Sequence, residues 1–247
     1  MRRVRKTRPP ANVSPEGQAA CSLQEKAHRF LQELEKAPNR SSHARATFDS
    51  LHKAKLRDVL LREQHHLCIY CECRVEDDSR HPIEHWRPLG AEPEHALNWK
   101  NLYLSCPTKE TCDGAKDCSR LAVSEEAEQL PWPTDIDYER CVDFTSGGKV
   151  FVRPDSPLTH DQRSALNLAI SSILKLNAPR LVAARKGAID SEKSSIDSDF
   201  NDRKVPTEAL SVRVNSLLDE KNEKHLPYVS ARVAYLQKKI ESRQGKA

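Results

Sequence analysis

"CIYCECRVEDDSRHPIEHWRP", residues 68–88, decides how the rest of this chain is read. Cys68 and Cys71 form a knuckle, because two thiolates from one tight turn can reach a single tetrahedral zinc. A second pair has to come from elsewhere, and Cys106 and Cys112 are the nearest candidates. Their spacer, "PTKET", is longer than the usual two to four residues. Cys73 and Cys118 compete for the roles of Cys71 and Cys112, and the commoner chelating spacing favours Cys68 with Cys71. The alternative is that some of these thiols are buried and free. Cys21 and Cys141 read as plain core or surface thiols. A zinc held by four thiolates is coordinatively closed, so it stabilises a small core and offers no position to a substrate. Any reaction has to come from what lies between the two halves of the clip.

Between them sit Glu84, His85, Pro88, Asn98, Trp99 and Asn101, and Asp113 and Lys116 follow the last clip cysteine. Glu84 and His85 are adjacent, so on a strand they point to opposite faces and take separate jobs. A carboxylate suits a hard divalent cation, and a neutral imidazole suits a general base. Asp113 is a second oxygen ligand that the zinc turn can deliver to the same cation. Lys116 and Arg87 are candidate phosphate contacts, weighed against a reading as solvated surface charges. Trp86 and Trp99 read as core around the zinc turn.

The chain has 247 residues, 37% hydrophobic and 31% charged, with only seven glycines and 5% aromatics. That composition favours a mostly helical protein of one large domain or two small ones. No apolar run is long enough for a transmembrane helix, and "MRRVRKTRPP" has no apolar segment behind it, so a reducing cytoplasm is expected. Eight cysteines in that compartment point to metal ligands or free thiols. The net charge of +4 is a mild bias. Arg2, Arg3, Arg5, Lys6 and Arg8 form a basic arm, either a solvated tail or a phosphate-contacting segment.

Residues 1–20 are expected to be extended or disordered. Ser22 with Glu25 is a capping box opening a helix striped by Leu23, Ala27, Phe30, Leu31 and Leu34. A second helix is expected over about 43–67, stopping at the first cysteine. "RHPIEHWRP" reads as a short strand entering a loop, "NWKNLYLSCP" as strand or turn, and "CDGAKDCSRLAV" as the start of a short helix. Residues 138–153 read as a β-hairpin around Ser146-Gly147-Gly148. Thr159 with Gln162 is a second capping box, and a helix starts after Asn177 with Pro179 in its first turn. "IDSEKSSIDSDFNDRK" reads as a polar connection. Val229, Val233, Leu236 and Ile240 mark a last helix.

Residues 68–118 resemble the HNH endonucleases, whose ββα-metal core often carries a zinc clip. The match is tight over "CIYCECRVEDDSRHPIEHWRP", "NWKNLYLSCP" and "CDGAKD". It looks more specifically like the HNH subunit of the Septu anti-phage system and of related retron defence systems. "AISSILKLNAPRLVAARKGAI" and the basic, proline-containing start are similar to that subfamily's flanks. The resemblance implies an α+β, predominantly helical fold. A zinc-clipped HNH (His-Me finger) core over 67–135 would follow a basic arm and helices over 1–66. A hairpin and helical region over 136–247 would come after it.

The resemblance also implies roles. His85 matches the general base, and Asn101 the residue that holds the loop behind it. Glu84 and Asp113 match the ligands of a catalytic magnesium or manganese. Glu84 stands where the family usually has Asp, and Asp113 where it has His or Asn, so the site is all-carboxylate and correspondingly hard. The implied activity is phosphodiester hydrolysis of DNA or tRNA. The implied partners are an ABC- or SMC-like ATPase and, in the retron form, a reverse transcriptase with its RNA–DNA hybrid. Two other classes compete: a zinc-stabilised adaptor with a decayed site, and a redox-sensing zinc protein using Cys73 and Cys118.

Overall fold

The computed structural model describes residues 1–15, 17–77, 80–200 and 205–245. The fold is α+β and mostly helical, with two small antiparallel sheets among the described residues. Helix α1 (Leu23–Leu34) carries its capping box: Ser22 Oγ accepts from the Glu25 N–H, and the Glu25 carboxylate accepts from the Ser22 N–H at 2.8 Å. Its buried stripe is Leu23, Phe30 and Leu34, while Leu31 is 46% exposed and lies off it.

The single helix expected over 43–67 is two helices, α2 (Arg40–Asp49) and α3 (Lys53–Glu63). The chain breaks because the His52 N–H donates to Val13 O rather than to a carbonyl of its own helix. The His52 ring then caps α3 by accepting from the Lys55 N–H. Helix α3 stops short of the first cysteine because His65 and His66 are both left-handed.

Strand β1 (Ile83–His85) pairs antiparallel with β2 (Leu102–Leu104), setting Glu84 opposite Tyr103 and His85 opposite Leu102. Two short helices follow, α4 (Cys112–Asp117) and α5 (Glu125–Glu128). The hairpin of β3 (Val142–Phe144) and β4 (Val150–Val152) turns at Gly148, whose φ is +85°. A Cβ there would lie 2.3 Å from Val182 O, so only glycine lets the turn sit on the next long helix.

Helix α6 (His160–Leu168) begins at the Thr159–Gln162 capping box and runs into a π-helical turn, Ala169–Ile173. Helix α7 (Pro179–Phe200) continues through most of the stretch that reads as a polar connection. The end of that stretch, 201–204, lies outside the described residues. The inward positions of α7 include Ile189, Glu192 and Ile196. Glu192 is buried because Arg213 and Arg232 both grip its carboxylate, at 2.9 and 2.7 Å, so a charged residue occupies a core position. Those arginines come from α8 (Thr207–Leu218) and from α9 (Val229–Arg243).

The N-terminal segment is extended, as read, but it is neither a solvated tail nor a free basic arm. Met1, Val4 and Val13 are buried in the main core. Arg2 pairs with Glu139, Arg3 with Asp137 and Arg5 with Glu220. Lys6 is buried against Glu63 at 3.1 Å and lies over the Trp99 and Tyr103 rings. Lys6 and Arg2 are fastened inward, whereas Arg3 and Arg5 make exposed surface pairs. No described helix is long and apolar enough to cross a membrane.

Candidate metal centre and the strand beside it

The knuckle is built by backbone bonds. The Cys68 N–H donates to Cys73 O at 2.9 Å and the Glu72 N–H to Cys68 O at 3.1 Å, with Glu72 left-handed to close the turn. The Ile69 N–H donates to Leu104 O, which fastens the knuckle to β2. The Glu72 carboxylate is buried and accepts from the Ser230 N–H and hydroxyl, tying the turn to α9.

The second pair arrives along β2. Cys106 follows that strand by two residues, and its N–H points at Cys68 Sγ, 3.4 Å away. The long "PTKET" spacer folds back over α4. At Gly114 a Cβ would come within 2.5 Å of Thr108 O and 2.6 Å of Lys109 Cα. That contact closes the loop, and Cys112, itself left-handed, enters the cluster at the start of α4. Gly114→Ala is expected to push the spacer off the helix and cost about 1–3 kcal/mol. A thermal melt with a zinc-release assay checks this: the variant should melt lower and lose metal to chelator sooner.

The Sγ atoms of Cys68, Cys71, Cys106 and Cys112 all lie within 4.8 Å of one another, and all four residues are buried. Tetrahedral zinc thiolates have S···S separations of about 3.8 Å, from Zn–S bonds of about 2.3 Å. The Cys71–Cys106 separation is 3.9 Å, so these residues fit the group and can hold a metal such as zinc. Neighbouring thiols, Cys112 first, drive Cys106 toward thiolate, while burial holds Cys68 up. Cys73 is half-buried at the margin and Cys118 is exposed at the end of α4; neither belongs to the cluster of four.

On β1, Glu84 and His85 diverge as adjacent strand residues must. Glu84 is buried and accepts from the Tyr70 hydroxyl at 2.6 Å and from the Lys116 ammonium. Asp113, one turn before Lys116 on α4, hydrogen-bonds Glu84. Burial and the Glu84 carboxylate push the Asp113 carboxyl up, so it carries a proton and donates. Burial opposes ionisation of Glu84, but Lys116, Asp113 and Tyr70 outweigh it and hold that carboxyl down. Two facing carboxyls that need a proton and an ammonium to coexist are a donor set suited to a hard divalent cation.

His85 faces the other way. Its ring is buried edge-on to Phe48 of α2, 4.4 Å between centroids. Its Nε2 lies 3.0 Å from Ala96 O. A carbonyl only accepts, so Nε2 carries the hydrogen and Nδ1 of the neutral ring keeps its lone pair. Burial lowers this imidazole to about 4, which keeps it neutral at physiological pH.

The carbonyl that fixes this tautomer belongs to a loop clamped by Asn101. The buried Asn101 amide donates to His95 O at 3.0 Å and Arg87 O at 3.1 Å, and its Oδ1 accepts from the Arg87 N–H at 2.6 Å. Asn101→Ala would strip three bonds and leave the freed loop groups unpaired, an expected loss of about 2–4 kcal/mol. The urea midpoint measures it, and Asn101→Asp should lose at least as much, because a buried carboxylate accepts from the Arg87 N–H but cannot donate to the two carbonyls.

The two candidate phosphate contacts are engaged internally. Arg87 donates to Ala127 O at 3.2 Å and Leu130 O at 2.8 Å. Lys116 is buried on Glu84 and also donates to His85 O. Trp86 and Trp99 are buried, the first stacked on Tyr70 and the second donating to Glu63 at 3.2 Å. The sequence reading missed Tyr70, whose position inside the knuckle at "CIYC" was the available signal. It also missed that Asp113 and Lys116, three apart on one helix, share a face.

The class these observations define is an α+β, mostly helical protein with a buried four-cysteine centre beside a strand bearing a carboxylate and a tautomer-fixed histidine. No family model matches the chain. The chain is similar to a Septu protein PtuB from Bacillus thuringiensis, 35% identical over 65 residues. Those residues are 26% of this chain and 24% of that protein, so the match spans about a quarter of the relative's length.

Proposed function

We propose that this chain is a metal-dependent HNH endonuclease with a zinc-clipped ββα-metal core, and that it serves as the effector subunit of a Septu-type anti-phage complex. The observation that carries the reading is the His85 Nε2–H bond to Ala96 O, which keeps the lone pair on Nδ1 of a neutral ring, at the strand position next to the Glu84 that meets Asp113. The similarity to the PtuB protein supports the defence role. DNA is the favoured substrate and tRNA the second. An ABC- or SMC-like ATPase is the proposed partner that controls the subunit, with a reverse transcriptase and its RNA–DNA hybrid joining in a retron-associated form.

In this reading, Glu84 and Asp113 would hold magnesium or manganese. The ion, when bound, supplies charge stabilisation at the phosphate and the leaving 3′-oxygen. His85 Nδ1 takes the proton from the attacking water, and Ala96 O holds the ring while it does so. Asn101 holds the loop that carries Ala96, and Tyr70 and Lys116 keep Glu84 ionised. The cysteine centre supplies rigidity and takes no part in the chemistry.

One observation favours a second reading. The Lys116 ammonium already neutralises Glu84, as a decayed site used only for docking would allow. Plasmid and total-tRNA cleavage in magnesium, manganese or neither, alone and with the ATPase, separates the two. The nuclease reading expects cleavage that requires one of these ions. Intact substrate in every metal with the ATPase present would leave a zinc-stabilised adaptor.

A further inference from the structure

Arg87 and Lys116 are spent on internal partners, so an anionic substrate approaching His85 has to be met by other cations. Three lie on α2 and α3, and α2 packs Phe48 against the histidine. Phe48 is the hub. Its ring touches His85 edge-on, and the Lys53 ammonium sits 3.3 Å from the centroid of the same ring. Arg45 is three residues before Phe48 on α2, and Arg57 is four residues after Lys53 on α3, so each shares a helix face with its neighbour.

Arg45 and Arg57 both lie close enough to Lys53 to act on it. Burial lowers Lys53 to about 8; Asp49 opposes that shift, and Arg57 and Arg45 add to it. Arg45 also acts weakly on His85 and on Asp117 at the end of α4. Asp49 and Asp117 are the carboxylates that enter this balance, and burial pushes Asp117 toward its neutral form, with Glu84 adding to the effect. Arg45 is exposed and forms no ion pair among the described residues. Arg57 anchors its Nε on His81 O at 3.3 Å.

We propose that Arg45, Lys53 and Arg57 form the phosphate-binding face of this protein, holding the nucleic-acid backbone next to the bond presented to His85. The proposal rests on the nuclease reading for its orientation, but its ligand chemistry, consecutive backbone phosphates, is read from the cations alone. Lys53, whose ammonium also donates to Phe48 O, supplies charge behind the face, and Arg45 is the exposed, directional contact. The face comes from helices that precede the motif, which is why "CIYCECRVEDDSRHPIEHWRP" does not contain it.

The test is binding of a fluorescein-labelled DNA duplex, and of the RNA of the same sequence, by the zinc-loaded full chain in calcium across a salt series. Each phosphate contact contributes about 0.9 to the slope of log affinity against log salt on B-DNA. Arg45→Gln should weaken binding about tenfold and lower that slope by about one unit. Arg45→Gln with Arg57→Gln should lower it by about two. Arg62→Gln is the control, because Arg62 is exposed and paired with Asp58, and it should leave the slope unchanged. A merely structural role for Arg45 would move the melting temperature and not the salt slope. Equal slopes for wild type and Arg45→Gln, or no binding of either nucleic acid by the wild type, would overturn the proposal. The DNA and RNA arms show which backbone is held more tightly. Slope changes together with no cleavage in the magnesium and manganese assay above would sink the nuclease reading and leave this face standing; cleavage in that assay with unchanged slopes would do the reverse.

Discussion

His85→Ala is expected to lower cleavage by about a thousandfold, within the range for loss of a positioned general base, while zinc content and the cooperative melt stay close to wild type. The size follows from the site. The ring is held by Ala96 O at Nε2 and packed on Phe48, so its tautomer and position are fixed, and no other described imidazole shares its place on β1. The stability cost is small by comparison, because β1 keeps its backbone pairing to β2 and Asn101 still clamps the loop. Single-turnover cleavage with circular dichroism measures both. A variant that misfolds would lose zinc as well, so metal content distinguishes loss of chemistry from loss of structure. If His85→Ala cut as fast as wild type, the base would have to be another group.

Cys106→Ser is expected to remove the metal and unfold the region around it. Binding of a structural zinc by four thiolates is worth on the order of 10 kcal/mol, and that is folding free energy. A whole domain is stable by only about 5–15 kcal/mol, so losing one ligand consumes most of the margin. Cys106 leads directly from β2 and its N–H meets Cys68 Sγ, so the loss reaches both the knuckle and the Glu84–His85 strand. Cys73→Ser and Cys118→Ser should keep one zinc per chain, since neither belongs to the cluster of four. Inductively coupled plasma analysis with a thermal melt checks the set. Zinc retained by Cys106→Ser and lost by Cys73→Ser would reassign the ligands.

Much of the local structure was legible because it depends on near neighbours. Both capping boxes, the Gly148 hairpin, the helix after Asn177 and the strand at Glu84-His85 follow from short patterns. The knuckle was equally plain, since two cysteines three apart need no distant partner to be recognised. What failed depends on partners far away in sequence. The break at His52 exists because Val13 offers a carbonyl there. Helix α7 continues through a polar stretch because Glu192 meets Arg213 and Arg232. The basic start reads as a free arm until Glu139, Asp137, Glu220 and Glu63 are seen to receive it. Lys116 and Arg87 look like surface cations for the same reason, and each is committed to an internal acceptor. A charged residue's composition says nothing about whether its counter-charge comes from solvent, substrate or the chain itself.

The most direct test of the central claim, that a thiolate clip builds the fold while the strand beside it does chemistry, is one paired measurement. Wild type and His85→Ala are each analysed for zinc and then given plasmid DNA and total tRNA with added magnesium or manganese, with the proposed ATPase partner present. The account predicts one zinc per chain in both proteins and cleavage by the wild type alone. One zinc in both with no cleavage by either, in any metal, would contradict it and reduce the chain to its clip.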